Sequence, residues 1–565
     1  MAQSPTRSAP IGMQSIQNVA SELGIAPEHV ISYGRDKAKI DLATLDGPST
    51  GKGRLILVSA INPTPAGEGK TTTSIALAMA MRRHGRRVAL CLREPSLGPV
   101  FGAKGGGTGG GRAILVPEND INLHFTGDIH AITSAHNLLS AMIDNALYFR
   151  ESIAGTPGLD ARRIRWGRAL DMNDRALRSV VVGLGGANGG FAREERFDIT
   201  AASEVMAILA LARDPADLER RLARIVIGES VDKQPITAGD LGASQAMAAL
   251  LKDALQPNLV QTAEGGPALV HAGPFGNIAH GCNSVIATRL GLKLADYVVT
   301  EAGFGLDLGG EKFLDIKCGL IGAWPRAIVL VATLRALKVH GGTPVKRAAE
   351  PDSGALERGL DHLAKHLETC AAYGLPVVVA INVFPEDTEG ELNLVQRFCA
   401  AQDVPVARCE GFARGGNGAM DLASIVQDVV DATDASPPAA KPVYSSDDSL
   451  EEKIRKVATV VYGAKDVAFT SAALKDLEYI RRLGYANIPV CIAKTQLSLS
   501  DDPTRLGRPR DFTLTVREVR LSAGAGFAVP LTGDIMTMPG LPREPAARRI
   551  RLNPDGTIAG LMQGG

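Results

Sequence analysis

The chain has no surplus of either charge: Lys+Arg and Asp+Glu each total 61 in 565 residues. That argues against coating nucleic acid, which needs a basic excess. It has no CxxC pair. Its seven cysteines, Cys91, Cys282, Cys318, Cys370, Cys399, Cys409 and Cys491, are scattered, odd in number and mostly beside apolar residues, as in VALCLR and PVCIAK. Such thiols are expected to be reduced and buried, forming neither a disulfide frame nor a zinc site. No apolar run reaches the roughly 20 residues that span a bilayer. MAQSPTRSAP at the N-terminus lacks the apolar stretch of a secretory signal. The expectations are a cytoplasmic protein with no membrane and no nucleic-acid partner. Internal repeats and low-complexity tracts are missing too. What remains is a chain with 45% hydrophobic residues and length enough for about two to four domains.

Short apolar runs punctuate most of that length: RLILVSAI (54–61), RVALCLR (87–93), SVVVGLG (179–185), RIVIG (224–228), YVVTEAG (297–303), AIVLVAT (327–333) and PVVVAIN (376–382). Near-continuous β-branched runs are what strands of a parallel sheet need when both faces are covered. Helical stretches such as ASEVMAILALAR and SQAMAALLKDAL lie between them. The fold class predicted is α/β: a doubly wound, mostly parallel sheet with smaller α+β domains. The polar segments 340–354 and 434–449 interrupt it, and the second reads as a linker. The boundaries expected are a core over 1–440, with an inserted subdomain around 115–200, and a C-terminal α+β domain over 445–565. The latter should carry helices near 448–460 and 472–484, strands in IPVCIAK, FTLTVREVRLS and FAVPLTG, and a hairpin around Asn553–Gly556.

The most informative motif is TPAGEGKTT, Thr64 to Thr72, between the run RLILVSAI and the helix-like SIALAMAMRRHG. Strand, glycine-containing loop, then lysine and threonine opening a helix is the layout of a P-loop. Backbone N–H groups and a helix N-terminus face a polyphosphate there. Lys70 would reach the terminal phosphates, and the Thr71 hydroxyl would ligate Mg²⁺. The nucleotide-binding residues on this reading are Thr64, Pro65, Ala66, Gly67, Glu68, Gly69, Lys70 and Thr71. The usual first glycine of the motif is Thr64 here.

Other segments carry chemistry. In LREPSLGPVFGAKGGGTGGGR, Leu92 to Arg112, six glycines crowd between Lys104 and Gly111. They read either as a surface lid or as backbone approaching a ligand too closely for side chains. Arg93 and Glu94 should sit at the carboxyl end of a strand beside the P-loop strand, where α/β folds place ligand contacts. NDINLHFTGDIHAITSAHNLLSAMIDN holds Asp120, His124, Asp128, His130, His136 and Asp144, without HExxH spacing. It reads as a polar substrate-facing segment, with helix caps and core histidines explaining part of it. The loops 263–284 and 300–319 bring His271, Asn277, His280, Glu301, Asp307, Glu311 and Lys312 toward the same edge.

PTPAGEGKTT, REPSLGPVFG, DINLHFTGDIHAI, FDITAASEVMAILALA, NLVQTAEG, HAGPFGNIAHGCNS, TEAGFGLDLGGEKFLDIKC, AKTQLSLSDDPT, VRLSAGAGF and GDIMTMPGLP together resemble the formate–tetrahydrofolate ligase family, collinearly from about residue 30 to the C-terminus. The resemblance implies ATP-dependent formylation of tetrahydrofolate through formyl phosphate, with Mg²⁺, an activating monovalent cation (K⁺ or NH₄⁺) and a homotetramer. Lys70, Arg93 and Asp128 form the candidate catalytic set, with Arg93 holding formate. Glu94 falls near the monovalent-cation position, and Phe384 and Phe412 match the pair of aromatics that clamps the pterin. Four positions depart from the family's pattern: Phe412 replaces a tryptophan, Val383 a basic residue, Ala146 a histidine and Lys465 an acid. The competing readings are a same-fold ligase with another acceptor and a P-loop regulatory ATPase.

Overall fold

The structure is a computed structural model that describes residues 13–561 apart from Ala66, Lys104, Gly105 and Asp534. Ala66, one of the expected phosphate-loop residues, therefore lies outside the described residues. Seven parallel strands make one continuous block of a twelve-stranded sheet and reach one of its edges: β1 (Arg54–Ala60), β2 (Val88–Leu92), β3 (Pro267–Val270), β4 (Tyr297–Glu301), β5 (Ala327–Ala332), β6 (Val377–Asn382) and β7 (Val406–Cys409). Their order across the sheet is β3-β2-β4-β1-β5-β6-β7, each parallel to its neighbour. Asn258–Thr262 then pairs antiparallel with β3 and carries the sheet on to Ala38–Ile40 and Val30–Ser32. The sheet is therefore mixed, with one parallel block.

Alternation along the strands sends side chains into two separate apolar clusters, one on each face. Ile56, Val58, Leu90, Val299 and Val329 belong to one, together with the buried stripes of α1 (Lys70–Arg83) and Met420–Ala432. Leu55, Leu57, Cys91, Val298 and Leu330 belong to the other. That second cluster takes in α2 (Asp128–Phe149), α3 (Val285–Leu294), α4 (Leu334–His340) and α5 (Ser353–Ala372). Helices on both faces explain why the strand sequences are continuously apolar and not alternating. The second cluster also runs into Glu204–Leu211 and into the C-terminal residues 450–531, so the C-terminal part shares its core with the sheet.

Two expected strands do not join the sheet. Val180–Val182 pairs only with Arg193–Glu195, and Val226–Ser230 pairs with Leu159–Ile164 and Pro235–Thr237. Val181 is 61% exposed, and Gly183, Gly185 and Gly186 after it all have positive φ. A β-branched triplet reads the same in a buried strand and in an exposed ribbon, and here the glycines turn the chain back into solvent. These small sheets draw their strands from residues 159–237.

The C-terminal part follows its sequence more closely. Leu450–Lys456 opens with a capping box between Ser449 and Glu452, and Ser471–Arg482 is capped by Thr470. Asp466–Phe469, Thr513–Ser522 and Phe527–Thr532 form a three-stranded sheet, and Arg551–Leu552 pairs with Ile558–Ala559 as the expected hairpin. IPVCIAK contributes single bridges from Val490 and Ala493 to Ala528 and Leu531, not a full strand. All seven cysteines are free and buried. Among the described residues no helix is long and apolar enough to cross a membrane.

Candidate active site at the carboxyl edge of the sheet

Apart from Asp128, which comes after the antiparallel strand Ala113–Val116, each candidate follows the carboxyl end of a parallel strand, so one edge of the sheet gathers them. The loop 61–69 leaves β1 and turns directly into α1. Gly69 has φ +67° in the left-handed region, and no side chain caps the helix that starts at Lys70. Gly69 is required twice over. A Cβ there would sit 2.3 Å from Asn382 Nδ2, the group that donates to Glu68 O at 3.1 Å. Asn382 ends β6, so the far half of the sheet supports the loop from beneath.

Within the loop, Glu68 folds back on Thr64, whose N–H (2.6 Å) and hydroxyl (3.2 Å) donate to Glu68 Oε1. Burial pushes the Glu68 carboxyl up to about 7, although the Thr64 N–H and the Lys70 charge favour its ionised form. Lys70 Nζ donates to Phe304 O at 2.7 Å. The Thr71 hydroxyl donates to Glu301 Oε2 at 2.9 Å.

Glu301 ties the site together. It ends β4, which lies between β1 and β2, so Arg93 and Glu94 are one strand further from the loop after β1 than adjacency would place them. The other oxygen of Glu301 reaches Arg93 Nη2 at 3.8 Å. Arg93 Nη1 donates to Pro274 O at 3.3 Å, while its Nε is buried with no acceptor among the described residues. Gly303 makes room for the guanidinium: a Cβ there would lie 2.9 Å from Nη1. His280, nearby after β3, is fully buried and has no partner among the described residues on either ring nitrogen. Burial and the surrounding Lys317, Lys312 and Arg93 charges hold it neutral, well below its ordinary range. By contrast His271 is bonded on both nitrogens, to Ser284 Oγ and Ala254 O, and its role is structural.

Glu94 points into the protein. It is buried, its Oε2 has no partner among the described residues, and burial with the nearby Asp128 charge drives its carboxyl well above the usual range. An orphaned buried carboxylate oxygen suits a bound cation. Asp128, the first residue of α2, has both carboxylate oxygens engaged. Lys39 Nζ reaches them at 2.7 and 3.0 Å, and Asn258 Nδ2 donates to Oδ2 at 2.7 Å. The rest of that histidine- and aspartate-rich segment divides. His136 stacks on Trp166 and bonds Ser203 and Gly167 O, and Asp144 pairs with Arg168 and Arg193. His124 and His130 are exposed. Among the described residues no cluster of three or more His, Cys, Asp or Glu is arranged to hold a metal ion.

The aromatic pair leaves β6 and β7, neighbouring strands. Phe384 is half-buried, and the Arg335 guanidinium lies 4.1 Å from its ring centroid while pairing with Glu386 at 2.6 Å. Phe412 is 51% exposed and lies against the glycine-rich segment. A Cβ at Gly110 would meet its Cε2 at 3.0 Å, and one at Gly111 its carbonyl oxygen at 2.0 Å. The close backbone approaches that these glycines allow are thus to protein atoms, including Pro95 opposite Gly107 and Ala113 O opposite Gly109. Val383 packs its half-buried side chain against the core, Ala146 is buried within α2, and Lys465 is exposed in the C-terminal part.

Sequence reasoning passed over Glu301 as one polar residue among several, because strand order decides which side chains it bridges. It also passed over Arg335 and Asn382, whose partners lie 49 and 314 residues away.

The whole chain has known counterparts. It is 62% identical over 552 residues to the formate–tetrahydrofolate ligase of Myxococcus xanthus, covering 98% of this chain and all of that one. It is 57% identical to that of Hyphomonas neptunium, over 97% of each chain, and 54% identical to that of Methylobacterium radiotolerans, over 97% of this chain and 98% of that one. The sequence profile of the family matches residues 6–562. The chain belongs to the formate–tetrahydrofolate ligase family.

Proposed function

We propose that this protein joins formate to tetrahydrofolate at the expense of ATP, with formyl phosphate as the intermediate formed over β1, β4 and β2. The observation that carries the reading is the shared carboxylate: Glu301 is bonded to Thr71 at the phosphate loop and reaches Arg93 on the other side. A nucleotide terminus and a small carboxylate bound at those two groups would be neighbours. Residues 64–71 form the phosphate loop of the P-loop kind, with Gly69 giving the turn and the N-terminus of α1 facing the phosphates.

Formate is a poor electrophile until one of its oxygens has been phosphorylated. In the first step a formate oxygen attacks the γ-phosphorus, the bond to the β-bridging oxygen breaks, and ADP leaves. Lys70 would leave the Phe304 carbonyl to neutralise the moving phosphoryl charge, while Arg93 orients the carboxylate. Mg²⁺, held by the Thr71 hydroxyl with Glu301 beside it, would supply further neutralisation when bound. In the second step N10 of tetrahydrofolate attacks the formyl carbon, the C–O bond to phosphate breaks, and the nitrogen gives up its proton. Phe384 and Phe412 clamp the pterin. Glu94 offers its free oxygen to a monovalent cation, K⁺ or NH₄⁺. Asp128, though expected to be catalytic, would act at one remove, by its charge on Glu94. A homotetramer is the assembly proposed.

Single-omission assays test the reading. 10-Formyltetrahydrofolate should form only when formate, ATP and tetrahydrofolate are all present. ATP turnover indifferent to formate and folate would overturn it in favour of a regulatory ATPase. Formate-dependent ATP chemistry without that product would mean that the acceptor differs.

A further inference from the structure

Both ends of the phosphate loop are tied to a single turn, Phe304 to Asp307. At the exit, Lys70 Nζ donates to Phe304 O at 2.7 Å. At the entrance, Asn62 Nδ2 donates to Asp307 Oδ2 at 3.0 Å. The turn itself is tightly wound. Phe304 has φ +58°, a region that side chains other than glycine rarely adopt, and a Cβ on Gly305 would fall 2.5 Å from Asp307 Oδ1. Such a conformation persists only when its surroundings over-determine it.

The surroundings come from the C-terminal part of the chain and from two helices on the sheet. Lys494 Nζ meets Asp307 Oδ2 at 2.8 Å, and both side chains are fully buried. Gln496 O accepts a second hydrogen bond from Asn62 Nδ2 at 3.1 Å. Two buried histidines complete the hold on Asn62. Because its amide nitrogen donates twice, its Oδ1 accepts from His366 Nε2 at 3.1 Å. His340 Nδ1 accepts the Gly507 N–H at 3.1 Å, so its Nε2 carries the proton that goes to Asn62 O at 3.0 Å. A residue at the mouth of the loop is thus gripped by 307, 340, 366 and 496 together. One of its anchors, Gln496, and the Gly507 that orients His340 belong to the C-terminal part of the chain.

We propose that Asn62, Asp307 and Lys494 are positioning residues for phosphoryl transfer: the seating of the C-terminal part, through Lys494, fixes the turn that sets both the loop's entrance and the resting place of Lys70 Nζ. The proposal rests on the reading of Lys70 as the phosphate-binding lysine. A buried charge pair also stabilises by not leaving either partner alone, so stability and positioning must be separated.

Full-length Asp307→Asn, Lys494→Met and the double variant separate them, measured by thermal unfolding and by kcat and KM for each substrate. Each single variant should lose stability. The double, with no orphaned charge, should recover the parental Tm, yet retain a kcat at least tenfold low and a raised KM for ATP. Its KM for tetrahydrofolate should stay within twofold. Recovery of kcat together with Tm would overturn the proposal. Should the double not fold, His366→Leu and His366→Gln decide: the first should cut kcat at least fivefold, and the second, which keeps an N–H donor for Asn62, should restore most of it. Equal activity in both would overturn the proposal. An inactive parent, or an active Lys70→Ala, would instead sink the reading of the site.

Discussion

Gly67 and Gly69 offer a matched pair of perturbations in one loop. Both have positive φ, +75° and +67°. They differ in what a methyl group would meet: nothing within 4 Å at Gly67, but Asn382 Nδ2 at 2.3 Å at Gly69. Gly67→Ala should therefore cost only the left-handed strain of an L-residue, about 1–2 kcal/mol. Gly69→Ala adds a clash that must expel the Asn382 amide and break its bond to Glu68 O, worth about 0.5–1.5 kcal/mol more. With about 1.4 kcal/mol per factor of ten, nucleotide affinity should fall some 5- to 30-fold for Gly67→Ala and a further 2- to 10-fold for Gly69→Ala. Isothermal titration with ADP and with a non-hydrolysable ATP analogue measures this, and thermal unfolding beside it catches any cost already present without ligand. Asn382→Ala in the Gly69→Ala background supplies the internal control. Once the amide is gone the clash is gone too, so the two costs must be less than additive. Equal losses for the two glycine variants, or strict additivity with Asn382→Ala, would refute the claim that the floor of the loop is built from β6.

Glu68 predicts a pH dependence. Its carboxyl is raised to about 7 by burial, so the fold favours the neutral acid; its contribution to stability is full below about pH 4.5 and is lost as pH rises through about 7. Ionisation also brings a negative charge to the proposed polyphosphate site, so ATP affinity should weaken through the same window and Glu68→Gln should flatten the profile; an unchanged profile in Glu68→Gln assigns the titration elsewhere. Arg93→Ser should lower kcat by 100-fold or more while leaving nucleotide affinity within threefold, whereas Lys70→Ala should lose both, each loss being a charge-assisted contact worth several kcal/mol in the transition state. Collapse of ATP binding in Arg93→Ser would move that residue into the nucleotide site. Arg335→Leu removes the cation from the Phe384 ring, an interaction of about 0.5–2 kcal/mol, and should raise the tetrahydrofolate KM roughly 2- to 30-fold with the formate constant unchanged. A change in the formate constant and not in that for folate would remove Phe384 from the acceptor site.

The contrast between what the sequence disclosed and what it hid follows from interaction range. β1, the glycine turn and α1 are contiguous, and each is fixed by neighbours within a few residues, so TPAGEGKTT could be read directly. The strands β2, β4, β5 and β6 were legible because burial on both faces demands uninterrupted apolar runs. The same criterion failed at 180–182 and 226–230, where β-branched residues serve small peripheral sheets. Strand order leaves no mark in local composition. Only the insertion of β4 between β1 and β2 makes Glu301 the link between Thr71 and Arg93. The glycine-rich run before Arg112 could be read as a lid or as backbone close to a ligand; at Gly107 and Gly109 to Gly111 the close approach is to protein, and the sequence could not show it because Phe412 lies some 300 residues on. The residues that support this site, Asn382, Arg335, Lys39 and Lys494, share one property: each is a polar side chain satisfied by a partner far away in sequence. A buried polar group costs stability unless paired. Residues that look misplaced in an apolar context, such as Lys494 in PVCIAK or Lys39 in AKIDL, are therefore where a sequence points to long-range partners. It can announce that a partner exists; only the fold can say that Lys494 meets Asp307, and that Asp307 in turn sits one turn from the carbonyl that holds Lys70.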